Sequence, residues 1–171
     1  MRSRSNVTWF STKVRYQKTM EDGSEKVVTE NYLVDALSFT EAESAITDEM
    51  SVYVSGEFQV SGIAKAAYNE VFFSDVDDDD KWYKAKLQFI TIDEKTEKEK
   101  RSTVNYLVQA KSLARALRYV DEEMGKTMID YDTIGLNETN LMDVFEHLAP
   151  NKEEKNDVPE YEQGNAEQPA E

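Results

Sequence analysis

Two sets of residues carry the chemistry this chain offers. Trp9 shares one face of an alternating stretch with Lys13 and Arg15, and Trp82 shares one with Lys84 and Lys86. An indole stacks on a nucleobase and a cation holds a phosphate, so this mixture on a strand face is what single-stranded DNA or RNA binding uses. Stacking contributes about 1–3 kcal/mol per base. Two such faces on one surface act bivalently. The same residues also have a structural reading. A Trp at the start of a strand covers the end of a core, and Lys on an open sheet face is ordinary solvation.

No catalytic set emerges. His147 is the one histidine and sits at the edge of a polar tail, where a solvated ring is expected rather than a base. Six glycines are scattered singly, so no phosphate loop is formed. Asp75, Asp77 and Asp79 have the spacing of a calcium loop, but Asp80 stands where its glycine belongs and Lys86 where its final glutamate belongs. Cysteine is absent, which excludes disulfides, thiol catalysis and zinc–thiolate sites. The expectation is a protein that is not an enzyme, with no cofactor, no metal and no catalytic residues. Arg115 and Arg118, further along, are candidates to extend the basic patch.

The formal net charge is −15, and ten of the fifteen excess negative charges fall within residues 73–81 and 146–171. The remainder is close to balanced, so local patches decide what the surface attracts. The start, MRSRSNVTWF, has charge but no apolar stretch, and no secretory signal or membrane span is expected. A cytoplasmic location follows.

These residues must be positioned by regular elements. WFSTKVRYQKT, residues 9–19, alternates with Phe10, Val14 and Tyr16 on the face opposite Trp9, which predicts a strand. Asp22-Gly23 signals a hairpin turn, and residues 27–36 form the returning strand. Ser38 and Glu41 make a capping box for a helix to about Met50, with Phe39, Ala42, Ile46 and Met50 on one stripe. Two further strands are expected, over 58–63 and 68–73. The order then recurs: strand from Trp82, charged turn DEKTEKEK, return strand 103–110, a helix capped by Ser112 to about Met124, and closing strands over 128–136 and 141–145.

The recurrence is explicit in the residues. NYLVDALS at Asn31–Ser38 returns as NYLVQAKS at Asn105–Ser112, with six of eight positions identical. Trp9/Trp82, Lys13/Lys86, Gly62/Gly135, Val71/Val144 and Phe72/Phe145 also match. This reads as tandem duplication of a unit of about 64 residues. The boundaries expected are a flexible lead over 1–8, a first repeat over 9–73, an acidic linker over 74–81, a second repeat over 82–148 and a disordered acidic tail over 149–171. The fold class is α+β: the two copies pair their sheets about a pseudo-two-fold axis and share a core, with an antiparallel sheet and both helices on one face.

The segments WFSTKVRYQKT, YLVDALSFTEAE and GEFQV resemble a family of small proteins carrying a domain of unknown function, found in gut Bacteroidetes and their phages. The similarity covers residues 9–145 and implies phage or mobile-element biology, with no assigned activity or site. The succession of four strands and a helix across the copy boundary also resembles Pur-alpha and Whirly nucleic-acid-binding repeats. The body-plus-acidic-tail plan is similar to phage and bacterial single-strand-binding proteins, whose tails recruit protein partners. The functional expectation is a non-enzymatic, phage-encoded protein that binds single-stranded nucleic acid through Trp9, Lys13, Arg15, Trp82, Lys84 and Lys86. The alternative is an acidic interaction protein, homodimeric or acting on a host-defence protein, with no nucleic-acid binding.

Overall fold

The computed structural model describes residues 1–148. The acidic tail expected over 149–171 lies outside the described residues. The elements are β1 (Arg2–Ser5), β2 (Trp9–Thr19), β3 (Glu25–Asp35), α1 (Phe39–Tyr53), β4 (Phe58–Ala66), β5 (Glu70–Phe73), β6 (Lys81–Ile92), β7 (Glu99–Ala110), α2 (Leu113–Gly125), β8 (Asp130–Glu138) and β9 (Leu141–Phe145). After β1, the order strand, strand, helix, strand, strand occurs twice.

Local chemistry explains the elements. The β2–β3 hairpin turns at Gly23, whose φ of +83° suits a residue without a Cβ. Met20 N–H donates to the Ser24 carbonyl at 2.7 Å, and Asp22 accepts the Ser24 N–H at 2.9 Å. The longer β6–β7 turn places Glu97 at φ +54°, in the same left-handed region without glycine. Ser38 caps α1 by accepting the Glu41 N–H at 3.1 Å, and Glu41 reaches back to the Leu37 N–H at 3.3 Å. Ser112 caps α2 by accepting the Arg115 N–H at 3.2 Å.

The strands form two sheets, in the orders β1-β5-β7-β6-β8 and β4-β2-β3-β9. Each half sends its last strand into the other half's sheet. β5 lies parallel to β7, with Val71 opposite Leu107. β9 lies parallel to β3, with Val144 opposite Leu33. These are equivalent positions, so the exchange is reciprocal. α1 packs on β2, β3 and β4, whereas α2 packs on β6, β7 and β8.

Three main clusters make the core. Phe10, Val14, Val34, Ile46 and Met50 lie under α1. Ala85, Leu87, Val108, Val120 and Met124 lie under α2. Trp9, Leu33, Val71, Trp82, Leu107 and Val144 meet between the sheets, on the faces turned away from the helices. The expected antiparallel sheet with both helices on one face is therefore corrected to two mixed sheets, each with its own helix. The physical reason lies in Tyr32-Leu33-Val34 and Tyr106-Leu107-Val108. All six residues are buried, so each strand is covered on both faces.

Two segments expected to be solvated have defined places. Residues 2–5 form β1 and pair antiparallel with β5, and the Met1 ammonium lies 3.0 Å from Asp75. Within the acidic linker, Asp79 is buried and Lys81 already begins β6.

Candidate binding surfaces

Trp9 and Trp82 are 1% and 2% exposed. Both sit in the inter-sheet cluster, and Trp82 makes an edge contact with Phe73 at 5.5 Å between ring centroids. No indole face is open to a base, so the stacking platform is corrected: these rings are the contact between the sheets. Alternation assigned their face correctly. It did not reveal that a second sheet covers that face.

The cations on the same strands diverge from the tryptophans. Lys13, Arg15 and Lys86 are exposed and Lys84 is half-buried. Lys13 lies between Asn31 on β3 and Gly62 on β4. Lys86 lies between Asn105 on β7 and Gly135 on β8. A Cβ on Gly62 would stand 3.7 Å from Lys13 Cδ, and one on Gly135 would stand 3.6 Å from Lys86 Cβ, so each lysine stem runs beside a glycine. The row Lys–Asn–Gly is identical in the two halves. Arg115 and Arg118 do not extend it. They belong to α2, which packs on the opposite face of β6, and they pair with Asp79 at 3.2 Å and Glu122 at 3.7 Å.

Asp79 is a structural hub. Its carboxylate accepts from the Lys111 N–H at 2.8 Å, Tyr119 Oη at 2.6 Å, Arg115 Nη1 at 3.2 Å and Ser74 Oγ. Burial opposes its ionisation, but the hydrogen bonds from Ser74, Tyr119 and Arg115 outweigh burial and hold the carboxyl below its ordinary value. Both oxygens are engaged by protein donors, which leaves the Asp75/Asp77/Asp79 spacing without a calcium geometry. The His147 N–H donates to buried Asp35, and its ring lies 3.5 Å from Glu41.

A surface absent from the sequence expectations lies between α2 and β8. A groove of about 990 Å³ is lined by Leu113, Leu117, Ile134 and Leu136, with Asp121 and Asp132 among its polar residues. Leu117 and Ile134 are 40% and 46% exposed. Tyr131 donates its hydroxyl to Asp121 at 2.7 Å, and burial together with that bond pushes the phenol up to about 12. Asp132 pairs with Arg101 at 3.0 Å. Ile134 is the extra residue of a β-bulge, since Lys86 pairs with Gly135 and Leu87 with Thr133.

The first half carries the same bulge, with Ser61 as the extra residue and its hydroxyl 3.4 Å from the Lys13 carbonyl. On its helix it has Thr40, Glu43 and Thr47 where the second half has Ala114, Leu117 and Asp121, whereas Leu113 and Leu136 are matched by the apolar Phe39 and Ile63. The signal was present in the aligned halves as Glu43 against Leu117 and Ser61 against Ile134. No single-copy pattern displays it.

Among the described residues, no helix is long and apolar enough to cross a membrane. No curated protein and no solved structure matches the chain. The family model described as Domain of unknown function (DUF4494) matches residues 8–147, and the chain belongs to that family.

Proposed function

We propose that this is a non-enzymatic binding protein whose partner is another polypeptide, bound at the groove between α2 and β8. The observation that carries the reading is the contrast between the halves. One scaffold, built twice, has Thr40, Glu43 and Ser61 at the surface of one copy and Ala114, Leu117 and Ile134 at the other. Exposed apolar surface gathered in one groove, where three of the matching positions in the first half are polar, marks an interaction site rather than a packing requirement. We also read the two halves as a tandem duplication, because their matched residues occupy matched places, Val71 on Leu107 and Val144 on Leu33. The test is a displayed library of random 12-residue peptides, selected on the protein and counter-selected on a Leu117→Glu/Ile134→Ser variant. Enriched peptides that bind only the wild-type groove support the reading. A library with no such enrichment removes it.

Single-stranded nucleic acid stays as a second reading, with a changed site. Its support is the twin row of exposed lysines, Lys13 beside Asn31 and Gly62, and Lys86 beside Asn105 and Gly135. Such a site holds phosphates without stacking, so its affinity falls steeply with salt. Anisotropy of a labelled poly-dT oligonucleotide at low salt, with wild type and a Lys13→Ala/Lys86→Ala variant, tests it. Equal anisotropy for the two proteins would rule it out.

A further inference from the structure

We infer that the segment received by the α2–β8 groove is a basic amphipathic helix of another protein. The inference rests on the polypeptide-binding reading above and specifies its occupant.

Three features of the groove select this chemistry. The first is shape. Along α2 the groove runs from Leu113 to Asp121, about 12 Å at the rise of an α-helix. That length matches roughly two turns of a docked helix. Leu113 and Leu117 are four residues apart and stand one above the other on α2. A ridge of that period accepts apolar side chains presented at helical spacing.

The second feature is the state of the β8 edge. β8 is the last strand of its sheet, so an extended segment would have to add there. The bulge places Ile134 out of register in the middle of the strand. Bulges twist an edge and interrupt the row of N–H and C=O groups that strand addition requires. The groove therefore offers apolar side chains rather than a continuous backbone ladder.

The third feature is charge. The residues lining the groove include Asp121 and Asp132 and no lysine or arginine; Arg101 pairs with Asp132 from outside the lining, and Asp121 has no cation partner among the described residues. A second copy docking groove to groove would set Asp121 and Asp132 against their own counterparts. A helix with Lys or Arg flanking its apolar stripe places opposite charge there instead.

The experiment uses two labelled 14-residue peptides of identical Leu and Lys composition. In one, Leu recurs at helical spacing; in the other, Leu and Lys alternate. Each is titrated into the full chain and into the Leu117→Glu/Ile134→Ser variant, whose new side chains copy Glu43 and Ser61 of the first half. The expected result is that the helical-period peptide binds wild type at least ten-fold more tightly than the variant, and more tightly than the alternating peptide binds wild type. If the alternating peptide is the tighter, groove-dependent ligand, the helical occupant is overturned while polypeptide binding survives. If neither peptide distinguishes wild type from variant, both readings fall. Sedimentation of wild type alone supplies a further outcome: a dimer that the substitutions dissolve makes a second copy the occupant and overturns the inference. Should the variant fail to fold, amide shifts of the wild-type protein decide the matter. Perturbations confined to α2 and β8 on adding the helical-period peptide support the inference, and perturbations elsewhere overturn it.

Discussion

The two halves of the molecule solve the same local problems with different residues, and the differences show which features are architecture and which are specific. The strand-exchange latch is the clearest case. Where β5 ends, the Ser74 N–H donates to Gln109 Oε1 at 2.9 Å. Where β9 ends, the His147 N–H donates to Asp35 Oδ1, and the Leu148 N–H does so at 3.1 Å. Gln109 and Asp35 are equivalent positions. Gln109 is neutral and needs no counter-charge. Asp35 is fully buried and requires Arg4, whose guanidinium lies 2.6 Å from it and 2.8 Å from Glu146. The N-terminal strand β1 is thus tied to the latch of the opposite sheet.

The helix starts differ in the same manner. In α1, Glu41 of the helix itself accepts the Leu37 N–H. In α2 the equivalent residue is Arg115, and the equivalent Lys111 N–H is taken by Asp79 from the linker. A task met locally in one half is met at long range in the other, which is why an aspartate from a run of four is buried.

The largest expected effect breaks what the halves share. Trp9→Ala and Trp82→Ala each remove a buried indole from the inter-sheet cluster, at a cost of about 3–5 kcal/mol. Their equivalent positions predict similar losses, and the double variant is expected not to fold. Urea unfolding of the single variants measures this. A loss near zero for either would mean that its ring is not holding the sheets together.

The next effect separates the latches. Arg4→Met leaves the Asp35 carboxylate buried without its cation, and destabilisation of about 3–5 kcal/mol is expected. Adding Asp35→Gln copies the neutral latch of Gln109 and should recover most of that loss. The same thermal-melting series includes Gln109→Met, which loses one hydrogen bond to Ser74 and is expected to cost about 1 kcal/mol. Equal costs for Arg4→Met and Gln109→Met would dissolve the contrast between a charged and a neutral latch.

Sequence alone exposed the features that depend on near neighbours. The Gly23 turn, the Ser38 and Ser112 caps, the recurring order and the helical stripe from Ala42 through Ile46 to Met50 were legible, because each is decided within a few residues, whereas Phe39 at the head of that stripe is half exposed. The reciprocal exchange was not, since β5–β7 and β3–β9 join residues about 36 and 110 positions apart through parallel ladders with no turn chemistry to announce them. The burial of Trp9 and Trp82 follows from that exchange. Yet Leu33 and Leu107 already interrupt the alternation of their strands, and a strand apolar on both faces implies a second covering layer. The Asp79 hub was hidden inside a charge run whose other members are solvated.

Asp79 supplies an intermediate effect and a pH test. Residues 77–81 read DDDDK, an enteropeptidase recognition sequence, but Asp79 is 2% exposed and bonded to α2. The native protein should therefore resist cleavage there. Asp79→Asn weakens the bonds to Arg115 and Lys111, at an expected cost of about 1–3 kcal/mol, and should open the site to the protease. Both Asp79 and Glu146 have carboxyls held below their ordinary values. For Glu146, burial opposes ionisation and the guanidinium groups of Arg2 and Arg4 prevail. A carboxyl lowered in the folded state contributes stability that is present above its unfolded pKa and lost as pH falls through its folded pKa. Stability should decline through the acid range, and less steeply in Asp79→Asn. An unchanged acid profile in that variant would remove Asp79 from the account.

The smallest stability effect belongs to the surfaces where the halves differ most. Leu117→Glu and Ile134→Ser alter exposed side chains, and each should move stability by no more than about 0.5 kcal/mol. The converse graft, Glu43→Leu with Thr40→Ala and Ser61→Ile, writes the second half's groove onto the first. Because β4 carries the same bulge as β8 and α1 begins at a serine cap as α2 does, the grafted side chains should meet as they do on α2 and β8. If the groove is a binding site defined by its lining, the graft should raise the stoichiometry of the helical-period peptide from one to two while the melting temperature stays nearly constant. A stoichiometry that remains at one would show that something beyond the lining residues, such as the Arg101–Asp132 pair or the β8 charges, makes the second half the binding half.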